Sequence, residues 1–156
     1  MKVLGLVYSA LLTVGKKPTT WFIDGNNVLG AKGVTKDRDA MADRLKPIES
    51  AESVVLVFDG RPGDQMSIEE HGILKQVQLA EGVSSDDYIL EEIAAIVAAS
   101  KTRRIELVTA DRELRRLALA SRPGVKGVVN PTVFWKKYLP RMSGMKKRVD
   151  VPEESN

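Results

Sequence analysis

The chain has no cysteine and only one histidine, His71, in its 156 residues. The first absence excludes disulfides, thiolate zinc sites and a cysteine nucleophile. His71 falls in the polar stretch Glu69-Glu-His-Gly72, expected to be loop, and no serine-nucleophile pattern accompanies it. It reads as a surface residue rather than a base or ligand. Any metal the protein holds must therefore be bound by oxygen, which favours Mg²⁺, Mn²⁺ or Ca²⁺ over zinc. Gly25 and Gly30 have no glycine between them at the spacing of a dinucleotide-binding fingerprint, so that function is excluded too. There is no internal repeat. The apolar stretch from Val3 to Val14 is too short to span a bilayer as a helix, and no membrane partner is expected.

Acid is also missing from the beginning of the chain, where the first carboxylate is Asp24. Residues 1–18, ending in Gly15-Lys-Lys-Pro18, fit a short secretory signal, an acid-poor organellar leader or an extra element packed on the domain. The location expected is cytoplasmic, or a plastid if this segment belongs to a transit peptide. Residues 19–142 suffice for one domain with a real core. Residues 143–156, basic and then acidic, are expected to lack stable structure. Charge is divided unevenly. From Glu49 to Ser100 eleven acidic residues face only Arg61 and Lys75, whereas from Lys101 to Arg148 fourteen Lys and Arg residues face Glu106, Asp111 and Glu113. The second half is the candidate for contact with a polyanion.

Carboxylates recur where apolar runs end. Thr20-Trp-Phe-Ile-Asp-Gly-Asn-Asn27, Val54-Val-Leu-Val-Phe-Asp-Gly60 and Ile105-Glu-Leu-Val-Thr-Ala-Asp111 each set an Asp at or just past a strand, and Ser84-Ser-Asp-Asp87 opens a helical stretch. Asp before Gly is a good turn former, and any one of these stations is readily explained as a turn or a cap. Turn formation does not require carboxylates after so many strands, and like charges gathered in one pocket are costly unless a cation or a proton compensates them. The recurrence points to an acidic, metal-binding pocket on one sheet edge.

Strands and helices alternate, the pattern of a parallel sheet covered on both faces. Strands are expected at Thr20–Ile23, Ser53–Phe58, Ile105–Thr109 and Val125–Val129, with Leu74–Leu79 as an edge strand. Helices are expected at Asp37–Leu45, ended by Pro47, at Ser84–Ser100 and at Asp111–Ala120, followed by one that Pro131 begins. The polar stretch from Gly60 to Gly72 reads as an exposed loop bordering the pocket. In the second helix Ile89, Ile93, Ile96 and Val97 share a face, and Ser84 with Asp87 fits a capping box, leaving Asp86 free to project towards an ion. In the third, Leu114, Leu117 and Ala118 are expected to face the sheet and Arg112, Arg115 and Arg116 the solvent.

Ile23-Asp-Gly-Asn-Asn-Val-Leu-Gly30, Val54-Val-Leu-Val-Phe-Asp59, Ser84-Ser-Asp-Asp-Tyr-Ile89, Leu107-Val-Thr-Ala-Asp-Arg112 and a closing Pro131-led helix with Phe134 together resemble the YacP-like branch of the NYN domains, in the PIN-like ribonuclease superfamily. The resemblance runs from about Trp21 to Leu139. It implies a three-layer α-β-α PIN-like fold with a central, mainly parallel sheet, and hydrolysis of RNA phosphodiester bonds in RNA processing or decay. The three acids of the family's pocket map onto Asp24, Asp86 and Asp111, as ligands of Mg²⁺ or Mn²⁺, with Asp59 and Asp87 as secondary members. Asn27 matches the family's Asn, while Asn26 stands where that branch often has an aromatic. Asn27 is placed to orient Asp24 or a metal-held water, and Thr109 to bring a hydroxyl near the phosphate or to cap a helix. Arg112, Arg115, Arg116, Lys136 and Lys137 are expected to guide the backbone of RNA, with or without ribosome association. Two other readings stay open: a PIN-like RNA- or ribosome-binding module without catalysis, and a phosphatase with Asp24 as nucleophile, although such enzymes usually carry a second Asp where this chain has Asn26.

Overall fold

The structure, a computed structural model, describes residues 18–100 and 102–143. Residues 1–17 of the expected leader and 144–156 of the expected tail lie outside the described residues.

The opening strand β1 (Thr19–Asp24) runs straight into a single helical turn, α1 (Gly25–Val28), and α2 (Arg38–Leu45) follows. After β2 (Ser53–Phe58) come β3 (Ser67–His71), β4 (Leu74–Gln78) and the long helix α3 (Ser85–Ala99). Then follow β5 (Arg104–Val108), α4 (Arg112–Leu119) and β6 (Val125–Val129). The chain closes with α5 (Pro131–Val133), a π-helical turn (Phe134–Tyr138) and α6 (Leu139–Met142).

The six strands lie in the order β3-β4-β2-β1-β5-β6, all parallel except β3. Strands of such a sheet are buried on both faces, which is why β2 reads Ser-Val-Val-Leu-Val-Phe without alternation. Side chains divide by the period of two. Trp21, Ile23, Val54, Leu56 and Phe58 join Met41, Leu45, Phe134, Trp135 and Leu139 on one face, under α2 and the closing helices. Phe22, Val55, Val57, Ile105 and Leu107 join Ile89, Ile93, Leu114 and Ala118 on the other, under α3 and α4. The result is the expected three-layer, PIN-like α-β-α arrangement.

Three local expectations are corrected. Residues 67–71, expected as loop, form the antiparallel edge strand β3, so His71 sits in a strand and β4 is an inner strand paired with β2. An exposed edge strand carries charge instead of an apolar pattern, and Ser-Ile-Glu-Glu-His gives no periodicity to read. Leu117, expected to face the sheet, is exposed; Leu114 and Ala118 of α4 are buried in the core and Leu119 packs against it. The Ser84 cap is half of the expected box: Ser84 Oγ accepts the Asp87 N–H at 3.2 Å. The other helix-entry bond comes from elsewhere, as Ser85 N–H donates to Asp59.

Candidate functional site

All the parallel strands end on one edge, and the acidic stations gather there. Asp24, the last residue of β1, is 3% exposed and has both carboxylate oxygens occupied. Ser85 Oγ donates to Oδ1 at 3.0 Å and Thr109 Oγ1 to Oδ2 at 2.9 Å. Burial raises its pKa from 3.8 to about 6; the two hydroxyls oppose the rise, and the charges of Asp86 and Asp59 add to it.

The chain leaves β1 against its neighbour, and only glycine permits this. A Cβ on Gly25 would stand 2.6 Å from the Val57 carbonyl and the Phe58 ring. The turn that results points two amides sideways. Asn26 Oδ1 accepts the Asp59 N–H at 2.6 Å, and Asn27 Oδ1 accepts the Ala110 N–H at 2.6 Å. One asparagine thus ties the end of β2 to β1, and the next ties the loop after β5. The Asn27 amide oxygen is thus held by a backbone donor and positions the loop before Asp111.

Asp59, just past β2, is partly buried and accepts the Ser85 N–H at 2.7 Å, fixing the start of α3. A Cβ on the following Gly60 would overlap the Ala80 carbonyl at 1.6 Å, so glycine is required where this loop crosses the end of β4. Asp86, second residue of α3, is partly buried and accepts no hydrogen bond among the described residues. Burial raises its pKa most, followed by the charges of Asp111, Asp59 and Asp87. Asp87 is exposed, and its backbone serves the Ser84 cap. Asp111 caps α4, its Oδ1 accepting the Leu114 N–H at 2.9 Å, while its own N–H donates to Thr109 Oγ1 at 3.1 Å. Of the two roles expected of Thr109, the structural one is seen. Its hydroxyl is buried, donates to Asp24 and accepts the Asp111 N–H, and so aligns the two.

Asp86 and Asp59 are thus near enough for their charges to act on Asp24, and Asp111, Asp59 and Asp87 near enough to act on Asp86; all of these charges are negative. None of the four forms an ion pair among the described residues. Yet no three acidic or imidazole groups of the described residues stand close enough to hold one ion directly. The donor set fits a hard cation in its chemistry, all oxygen and negative. It fits best an ion that keeps several of its waters, as Mg²⁺ does.

The five cations expected to guide RNA are carried by elements in two layers. Arg112, Arg115 and Arg116 are exposed on α4, which packs on one face of the sheet, and Arg116 is engaged by Glu113 at 2.6 Å. Lys136 and Lys137 are exposed on the π-helical turn, which packs on the opposite face.

With this geometry, the chain can be set beside known proteins. No family model matches the sequence, and no curated protein does. Among solved structures, that of Rae1 (YacP) from Bacillus subtilis superposes with a TM-score of 0.63, covering 85% of this chain and 79% of that one at 17% identity. The two share a fold. The likeness matches the YacP-like architecture that the sequence motifs imply.

Sequence reasoning missed Ser85 as a partner of Asp24, Asn26 as a brace of Asp59, and Gln78, whose amide nitrogen donates to the Asp59 and Leu79 carbonyls and to Asp64. A serine at a helix entry gives no signal beyond capping. Among the described residues no helix is long and apolar enough to cross a membrane.

Proposed function

We propose that the protein is a metal-dependent ribonuclease that hydrolyses RNA phosphodiester bonds at this edge, with Asp24, Asp86 and Asp111 holding Mg²⁺ or Mn²⁺ in part through waters the ion retains. The observation that carries the reading is the gathering of four carboxylates on one sheet edge, none of them in an ion pair among the described residues. The YacP-like fold and motifs supply the substrate class. A divalent ion held there would supply an activated water and would stabilise charge on the phosphate and leaving oxygen. The protein's own part is placement. Ser85 and Thr109 hold the Asp24 carboxylate in one orientation, Asn26 and Asn27 fix the loops that carry Asp59 and Asp111, and Asp86 presents unengaged oxygens.

The phosphatase reading is disfavoured by the same geometry. A nucleophilic carboxylate needs an open oxygen in line with phosphorus, whereas Asp24 is buried with a hydroxyl on each oxygen. Each oxygen keeps a further lone pair, which suffices for a cation. Labelled RNA incubated with Mg²⁺, Mn²⁺ or EDTA, beside a generic phosphomonoester, is the test. Metal-dependent RNA cleavage without phosphomonoester turnover is expected. The reverse result would establish a phosphatase, and RNA binding without turnover a non-catalytic module.

A further inference from the structure

Between α1 and α2 the chain runs through a tight loop, residues 29–37. Its own backbone closes it: Ala31 N–H donates to the Val28 carbonyl at 3.0 Å, Gly30 N–H to that of Thr35 at 3.0 Å and Val34 N–H to that of Ala31 at 2.8 Å, with the Val34 side chain buried. Thr132 Oγ1 then ties the loop to α5, donating to the Lys32 carbonyl at 2.7 Å. Both segments spring from the edge that carries the acids. Asp24 immediately precedes α1, and Asn130, which caps α5, follows Val129, whose carbonyl accepts the Thr109 N–H. The loop is basic. Lys136 lies across it, since a Cβ on Gly33 would stand 2.8 Å from Lys136 Cε and 3.1 Å from Nζ. The Lys36 stem passes Gly30, its Cγ 3.7 Å from where a Cβ would stand, and Lys32 comes between these two glycines in the chain. All three lysines are exposed, and no ammonium group of theirs is in a hydrogen bond or ion pair among the described residues. Counter-charge is scarce, because no acid occurs from Gly25 to Lys36 or from Leu114 to Val149. Asp37, next after Lys36, has its Oδ1 taken by the Asp39 N–H at the start of α2.

We propose that Lys32, Lys36 and Lys136 form a cationic platform that holds the phosphate backbone of an RNA strand beside the acidic pocket; the substrate class rests on the ribonuclease reading. A pocket of carboxylates repels a polyanion, so the strand needs uncompensated cations at the pocket's border. Lysine meets phosphate as a point charge and reads no sequence. The bonds within the loop and to Thr132 fix the backbone from which Lys32 and Lys36 rise, and Lys136 reaches the same short stretch from the π-helical turn. Like charges gathered there repel one another, and an incoming polyanion relieves the repulsion. The arginines of α4 stand in the other layer, where Arg116 is spent on Glu113, so the platform selects the side of the sheet that the strand follows.

The test is RNA binding by the full chain in EDTA, which separates binding from cleavage. Affinity for unrelated labelled single strands is measured against salt for wild type, K36A/K136A, K32A/K36A/K136A and R115A/R116A. The last removes the same charge as the first double variant, but from the other layer. Each phosphate contact on a single strand contributes about −0.7 to the slope of log affinity against log salt. K36A/K136A should flatten the slope by about 1.4, which near 0.1 M salt is a loss of roughly ten- to thirty-fold, and the triple variant should flatten it by about 2. R115A/R116A should flatten it by no more than about 0.7. The three lysine side chains are exposed and make no hydrogen bond or ion pair among the described residues, so the lysine variants should melt as wild type does and their weaker binding reads as lost contact. Equal effects of the two double variants would mean that only net charge is felt and would overturn the platform, as would an unchanged slope in K36A/K136A or a wild type that binds no RNA. If wild type cleaves RNA with metal while K36A/K136A keeps the wild-type slope, the platform falls and the ribonuclease reading stands. RNA bound through the lysines but never cleaved with metal would uphold the platform while sinking that reading.

Discussion

At the scale of single residues the account turns on Asp24, whose burial sets its chemistry. Its pKa is about 6 in the fold against 3.8 unperturbed. Between these values the folded protein holds a proton that the unfolded chain has released, so the stability of the metal-free protein falls as pH rises through the window. Above about pH 6 the ionised group costs the fold about 3 kcal/mol. Asp24→Asn removes this cost while leaving oxygen and nitrogen for the Ser85 and Thr109 hydroxyls. Metal-free thermal and urea melts should show the variant more stable at pH 7 by about 1 to 3 kcal/mol, with a flatter dependence on pH between 4 and 6. A variant less stable than wild type at pH 7 would mean that Asp24 is already compensated.

At the scale of elements, helix entries and strand ends do the positioning, and Asp111 serves in both capacities, so its two roles can be separated. Asn caps a helix as well as Asp, whereas Ala loses about 1 kcal/mol. Asp111→Asn should therefore keep the melting behaviour of wild type and lose RNA cleavage, and Asp111→Ala should lose both. Equal cleavage by wild type and Asp111→Asn would reduce Asp111 to a cap. What could be read beforehand follows the same division. The buried strands β1, β2, β5 and β6 announce themselves as apolar runs, and α3 by its Ile89-Ile93 spacing together with the Ser84 cap. β3 is silent because its exposed, charged edge has no core face to pattern. Asp24, Asp59, Asp86 and Asp111 stand out because strand ends and helix starts are visible in sequence. The groups that hold them do not. Ser85 meets Asp24 across 61 positions, Asn26 meets Asp59 across 33 and Arg38 meets Gln78 across 40, and no local pattern encodes such pairings.

At the scale of the whole molecule, the charge asymmetry of the sequence overstates the contribution of its basic half. The cations of α4 and of the π-helical turn lie in opposite layers, so one strand lying along the acidic edge cannot be assumed to meet all five. Replacing Arg115 and Arg116 together by Ala should change the salt slope of RNA binding by no more than one contact, about 0.7, because Arg116 is already paired. A flattening of about one unit or more would return the RNA path to this helix.

The most direct test of the acidic pocket as a metal site needs no substrate. Thermal melts of wild type and Asp24→Asn are recorded at pH 7 across a titration with Mn²⁺. Binding to the native state at one hundred times its dissociation constant stabilises by about 2.7 kcal/mol. Wild type should begin lower and rise with the ion, while Asp24→Asn should begin higher and respond little. Parallel responses in the two proteins, or none in wild type, would contradict a metal centre built on Asp24.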